Sequence, residues 1–172
     1  FKKAGFQYVD DLSKLKDLNI EQPALGLFAE VGLPWTLDNK NNNHLLKMAK
    51  AAVQHLENNE GYVLLVEASQ IDWAGHGNDI AAAMGEMHDL AETLVWLKKY
   101  TENRNDTLLI ATADHSTGGL TLGANGDYRW EPRYLKNLSL SPKSIASELA
   151  REGFPLSAKK LTTLLGFIVS EQ

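Results

Sequence analysis

The chain has 172 residues, 44% of them hydrophobic and 23% charged, an ordinary globular composition with enough length to bury one sizeable core. Seventeen basic against 22 acidic residues leave a net charge of −5, which argues against non-specific binding of nucleic acid; the absence of cysteine excludes disulfides and thiolate zinc ligands. No apolar stretch approaches the roughly 20 residues a membrane-spanning helix needs, and because the first residue is Phe1 rather than Met, any signal peptide is expected upstream of it.

In chain order, the first helical spacing covers residues 10 to 18. Residues 40 to 58 predict a longer helix entered through Asn41-Asn42-Asn43, with Leu45, Met48, Ala49, Ala52, Val53 and Leu56 on one face. After the turn signal Asn58-Asn59-Glu60-Gly61 comes Tyr62-Val63-Leu64-Leu65-Val66, a continuous apolar run of the kind that marks a strand buried on both faces. Asn78 and Asp79 have N-cap chemistry for a following helix, along which Ile80, Met84, Met87, Leu90, Leu94 and Leu97 form one stripe. Thr107-Leu108-Leu109-Ile110-Ala111-Thr112 is a second buried strand. Strand, helix, strand at this spacing is a βαβ unit with a right-handed crossover, so the two strands are predicted parallel, with their carboxyl ends on one edge. Gly123-Ala124-Asn125-Gly126-Asp127 marks a turn that ends this pattern, and Tyr128, Trp130, Pro132 and Tyr134 read as a loop. Ser141-Pro142 opens a helix by N-cap and N1 chemistry, and Phe154-Pro155-Leu156-Ser157 opens another. His44, His55 and His88 read as surface or structural residues, and Met84 and Met87 as core.

The chemistry lies at the ends of the two predicted strands. Val66-Glu67-Ala68-Ser69-Gln70-Ile71-Asp72-Trp73-Ala74-Gly75-His76 follows the first, and Thr112-Ala113-Asp114-His115-Ser116-Thr117-Gly118-Gly119 the second. Five metal-ligating side chains, Glu67, Asp72, His76, Asp114 and His115, are thereby predicted on the edge of an open α/β sheet where ligands bind. Asp72 and His76 are four apart, close enough to chelate one ion from a helical turn or a tight loop. Asp114 and His115 are adjacent, so they converge only where the chain leaves the strand and loses its alternation. Glu67 without a cation would be a poorly solvated charge at a sheet edge. Together they read as a multi-metal phosphoryl-transfer site.

The two long segments resemble those of the alkaline phosphatases, in the same order and separated by the same kind of helix. The resemblance extends upstream: Leu25-Gly26-Leu27-Phe28-Ala29 and Leu33-Pro34-Trp35-Thr36-Leu37-Asp38 look like a strand and loop of that family, and Gly5-Phe6-Gln7-Tyr8-Val9 like the strand before. It implies an α/β fold, part of a three-layer sandwich with a mostly parallel central sheet flanked by helices. Residues 1–123 would be the metal-binding α/β portion and 124–172 a helical and loop insertion or C-terminal extension. It further implies that Asp72 and His76 bind one zinc, that Asp114 and His115 bind a second, and that Glu67 binds a third ion, magnesium. That division agrees with the softness of the ligands, since imidazole suits zinc and an all-oxygen shell suits magnesium.

The implied reaction is metal-dependent hydrolysis of phosphate monoesters through a phosphoserine. No Asp-Ser pair occurs in the chain, no histidine follows His115, and Ala68 stands where glycine is more usual in the family. The expectation is a central-to-C-terminal piece of such an enzyme, with the nucleophile, the phosphate-gripping arginine and the final histidine ligand elsewhere. By resemblance, the intact protein would be a periplasmic or extracellular homodimer. The alternatives are another member of the superfamily, a phosphodiesterase or phosphomutase, or a catalytically inactive metal-binding fragment.

Overall fold

In the computed structural model, residues 1–39, 43–58, 60–117, 124–153 and 156–169 are described. The chain divides into two units: Phe1–Pro34, Asn41–Ser69 and Met87–Thr112 make up the first, and Trp35–Lys40, Gln70–Glu86 and Ala113–Gln172 the second.

The first unit contains a two-stranded parallel ladder of β1 (Gln7–Val9) and β2 (Ala24–Gly26), in which Tyr8 stands opposite Leu25. β1 falls within a segment assigned by family resemblance, and β2 overlaps the start of another. Between them the helical spacing of residues 10 to 18 becomes a 3-10 helix, Leu12–Asp17, capped by Asp11, whose carboxylate accepts from the Ser13 amide at 2.8 Å. Helix α1 (His44–Leu56) buries Ala49 and Val53 on the predicted face; of its expected entry only Asn43 lies among the described residues. The Asn43 side chain does not cap its own helix. The cap comes instead from Asp89, whose carboxylate oxygens accept from the amides of Leu45 at 3.0 Å and Leu46 at 3.3 Å.

Asp89 lies on helix α3 (Ile80–Thr101), and its role rotates the buried face of that helix away from the predicted stripe. The buried positions are Ala81, Ala82, Glu86, Asp89, Thr93 and Leu97, while Met84 and Met87, expected in the core, are exposed. Three of the six are polar and partnered: Glu86 accepts from the Thr36 amide at 2.7 Å, Asp89 caps α1, and the Thr93 hydroxyl donates to the Asp89 carbonyl at 2.8 Å. A helix face follows burial of partnered polar groups as readily as burial of carbon.

The predicted strands at 62–66 and 107–112 also differ from expectation. Among the described residues neither segment forms a strand or pairs with one, so the predicted parallel βαβ pair is not present. Their apolar residues are not buried on both faces: Val63 is 97%, Leu65 90%, Leu108 82% and Ile110 74% exposed. The alternate residues Tyr62, Leu64 and Val66 are half-buried, and the Tyr62 hydroxyl meets that of Tyr100 at 3.2 Å. Two-sided burial requires a layer on each side of a strand; here one face is covered.

In the second unit, α2 (Ser69–His76) is followed by Asn78, which takes the left-handed conformation at φ +50°. Asp79 then caps α3, its carboxylate accepting from the Ala82 amide at 2.9 Å, as its N-cap chemistry predicts. The expected loop around Pro132 and Tyr134 is instead a short helix, α4 (Pro132–Asn137), with proline in the first turn, where no amide proton is needed. Helix α5 (Pro142–Glu152) starts as predicted from Ser141, whose amide and hydroxyl both donate to Asp38, at 2.6 and 2.8 Å. Helix α6 (Ala158–Leu165) is capped by Ser157; Phe154 and Pro155 of its expected opening lie outside the described residues.

Candidate metal centre

Four of the five predicted ligands belong to the second unit. Asp72 and His76 lie one turn apart on α2, so their side chains share a face, with Asp72 Oδ2 3.5 Å from His76 Nε2. Asp114 and His115 lie in irregular chain after residues 107–112. His115 Nε2 is 3.6 Å from Asp72 Oδ1 and 3.6 Å from Asp114 Oδ2. Asp72 therefore presents one carboxylate oxygen to each imidazole. It is also the most sheltered of the four, with its side chain 35% exposed against 89% for Asp114.

Glu67 belongs to the first unit and is exposed, as Val63 and Leu65 are, so it is not the poorly solvated charge expected. His44 is buried in α1 with both ring nitrogens unpartnered among the described residues, so the structural reading of this residue holds and the surface reading does not. Burial holds its imidazole below the ordinary histidine value, with the nearby Asp89 charge opposing and Lys47 adding to the shift. His88 is exposed and 3.5 Å from Glu92.

Reading the sequence for ligands alone missed Thr117. Its hydroxyl donates to Asp72 Oδ1 at 2.6 Å and stands 3.2 Å from His115 Nδ1, while its amide donates to the same Nδ1 at 3.0 Å. Its place two residues after His115 was the available signal, yet a threonine there also fits a simple turn. Gly75 was missed as well; a Cβ at that position would lie 3.1 Å from Thr117 Cβ.

The donor set can be tested against zinc. Two donors on one tetrahedral zinc, each about 2.0–2.1 Å from the metal, lie roughly 3.3 Å apart, and the three carboxylate–imidazole separations of 3.5 to 3.6 Å are a few tenths of an ångström wider. Mixed carboxylate and imidazole donors suit a borderline cation. Among the described residues, no set of three or more His, Asp or Glu side chains could by itself hold an ion. The residues thus fit zinc as donor pairs, with remaining coordination positions left for water or other groups.

With a short parallel ladder among helices, the chain is of the α/β class. The particular family is shown by comparison: the model of the alkaline phosphatase family matches residues 1–153, and the chain belongs to that family. It is 42% identical over 152 residues to alkaline phosphatase 3 of Bacillus subtilis, covering 87% of this chain and 33% of that protein. It is 31% identical to the repressible alkaline phosphatase of Saccharomyces cerevisiae, covering 84% of this chain and 29% of the relative. In three dimensions it is similar to a cold-active alkaline phosphatase from a psychrophilic Shewanella, with a TM-score of 0.88 and 42% identity, over 99% of this chain and 42% of that one. The chain thus spans about a third of the length of the relatives it matches in sequence.

Proposed function

We propose that this chain is the metal-binding portion of an alkaline phosphatase that hydrolyses phosphate monoesters. The observation that carries this reading is the carboxylate of Asp72 set between two imidazoles, 3.5 Å from His76 and 3.6 Å from His115. In this reading Asp72 and His76 hold one zinc, Asp114 and His115 hold a second, and Glu67 holds a magnesium. Bound there, such ions would supply Lewis-acid stabilisation of phosphoryl oxygens and lower the pKa of bound water. The chain's own residues fix the donors: α2 sets Asp72 and His76 on one face, and Thr117 holds Asp72 and His115 by hydrogen bonds. Residues 1–123 act as the metal-binding portion and 124–172 as an insertion or extension; the intact protein is a periplasmic or extracellular homodimer.

The test is a chimaera in which the matched segment of alkaline phosphatase 3 of Bacillus subtilis is replaced by this chain. Hydrolysis of p-nitrophenyl phosphate that disappears on Asp72→Ala or His115→Ala supports the reading. Turnover indifferent to both substitutions overturns it.

A further inference from the structure

Thr117 is a β-branched residue at φ +50°, in the left-handed region that such side chains avoid. A residue persists there when its surroundings over-determine it. Two such surroundings are visible. Gly75 leaves the space into which the Thr117 methyl and Cβ fit, since a Cβ on residue 75 would lie 3.2 Å from Thr117 Cγ2. On the other side, the Thr117 hydroxyl is tied to Asp72 Oδ1 at 2.6 Å.

The geometry points to Thr117 as the positioning residue of the metal centre: one hydroxyl that fixes the Asp72 carboxylate and the His115 ring together. The inference rests on the ligand assignment proposed above. A hydroxyl both donates and accepts. Here its proton goes to Asp72, which leaves its lone pairs facing His115 Nδ1 at 3.2 Å. The Thr117 amide donates to the same Nδ1 at 3.0 Å, so backbone and side chain of one residue hold the His115 ring while the hydroxyl holds Asp72. Outer partners of this kind orient ligating side chains. Valine in its place would keep the shape and the backbone amide but lose both functions of the hydroxyl. Serine would keep the hydroxyl and lose the methyl beside Gly75.

The experiment titrates the full chain with cobalt(II), read by calorimetry and by the visible absorption of the bound ion, for the wild type, Thr117→Val, Thr117→Ser and His115→Ala, with far-UV circular dichroism as a check on folding. Thr117→Val is expected to weaken cobalt binding about tenfold and to change the absorption band, with Thr117→Ser within about threefold of the wild type, the scale set by loss of an outer partner of a metal ligand. Thr117→Val binding as tightly as the wild type overturns the inference, and so does Thr117→Ser as weak as Thr117→Val, which would assign the residue to packing. A wild type that binds no better than His115→Ala overturns the ligand assignment, and this inference with it.

Discussion

Gly75→Ala separates stability from site geometry. Gly75 lies in the last turn of α2, and exchanging glycine for alanine inside a helix is worth about 0.8–1.0 kcal/mol in favour of the helix. Against this, the added Cβ would sit 3.1 Å from Thr117 Cβ and 3.2 Å from Thr117 Cγ2, where carbon atoms at optimal separation stand about 3.5–4.0 Å apart. Overpacking of a rigid core costs about 1–3 kcal/mol, but Thr117 follows exposed Ser116 in irregular chain and can yield by a few tenths of an ångström, which places the cost at the low end. The two effects nearly cancel, so the urea unfolding free energy is expected to stay within about 1 kcal/mol of the wild type. The displacement does not cancel at the site. It falls on the residue whose hydroxyl is 2.6 Å from Asp72, and cobalt affinity is expected to drop by about threefold to tenfold, up to the lower limit for disturbing an outer partner of a metal ligand. Urea denaturation and a cobalt titration on the same preparation measure both. Unchanged affinity at unchanged stability would refute the coupling of Gly75 to Thr117, and a stability loss above about 3 kcal/mol would show that the loop does not yield.

Asp89→Ala leaves the Leu45 and Leu46 amides without their acceptor and is expected to cost about 2–4 kcal/mol in urea unfolding; a loss under about 0.5 kcal/mol would show that α1 is capped by other means. Because burial holds the His44 imidazole below its ordinary value, the unfolded chain takes up this proton first as pH falls; stability is full above about 6.5 and declines as pH drops toward the lower folded value. Thermal melts from pH 7.5 to 5 should show that decline, and His44→Gln should flatten it; an unchanged slope would remove His44 as its source. Val63→Thr with Leu65→Thr removes two apolar side chains that are 97% and 90% exposed, and should lower self-association in light scattering without changing the helical signal. By itself the chain is expected to hydrolyse p-nitrophenyl phosphate no faster than free metal ions do, since residues that act as a unit fail together; full turnover would refute the reading of its donor pairs as part of a larger site.

The parts of the fold legible in the sequence are those decided within one or two turns of chain. Ser141-Pro142 specifies the start of α5 and Asp79 the start of α3, because an N-cap is a local contract between one side chain and the amides that follow. The buried face of α3 was not legible in the same way. Hydropathy assigns Glu86, Asp89 and Thr93 to solvent, whereas each is buried because a partner distant in sequence or a neighbouring turn accepts or supplies its hydrogen bond. The apolar runs at 62–66 and 107–112 were read as strands covered on both sides and are neither among the described residues, because composition records that a face is apolar without recording what lies against it.

The site shows the same division between what spacing decides and what folding decides. An aspartate and a histidine four residues apart share a face once the segment is helical, so Asp72 and His76 follow from spacing alone. That His115 should come within 3.6 Å of Asp72 depends on the chain returning after α3, and the two motifs predict this only together. Thr117 depends on more still: a positive φ that no β-branched residue announces, and a glycine on α2 that makes room for it. A ligand must have one of a few chemistries and can be found by type. The residue that orients a ligand needs only a hydroxyl in the right place, and sequence marks that place by position relative to the ligands and by nothing in the residue itself.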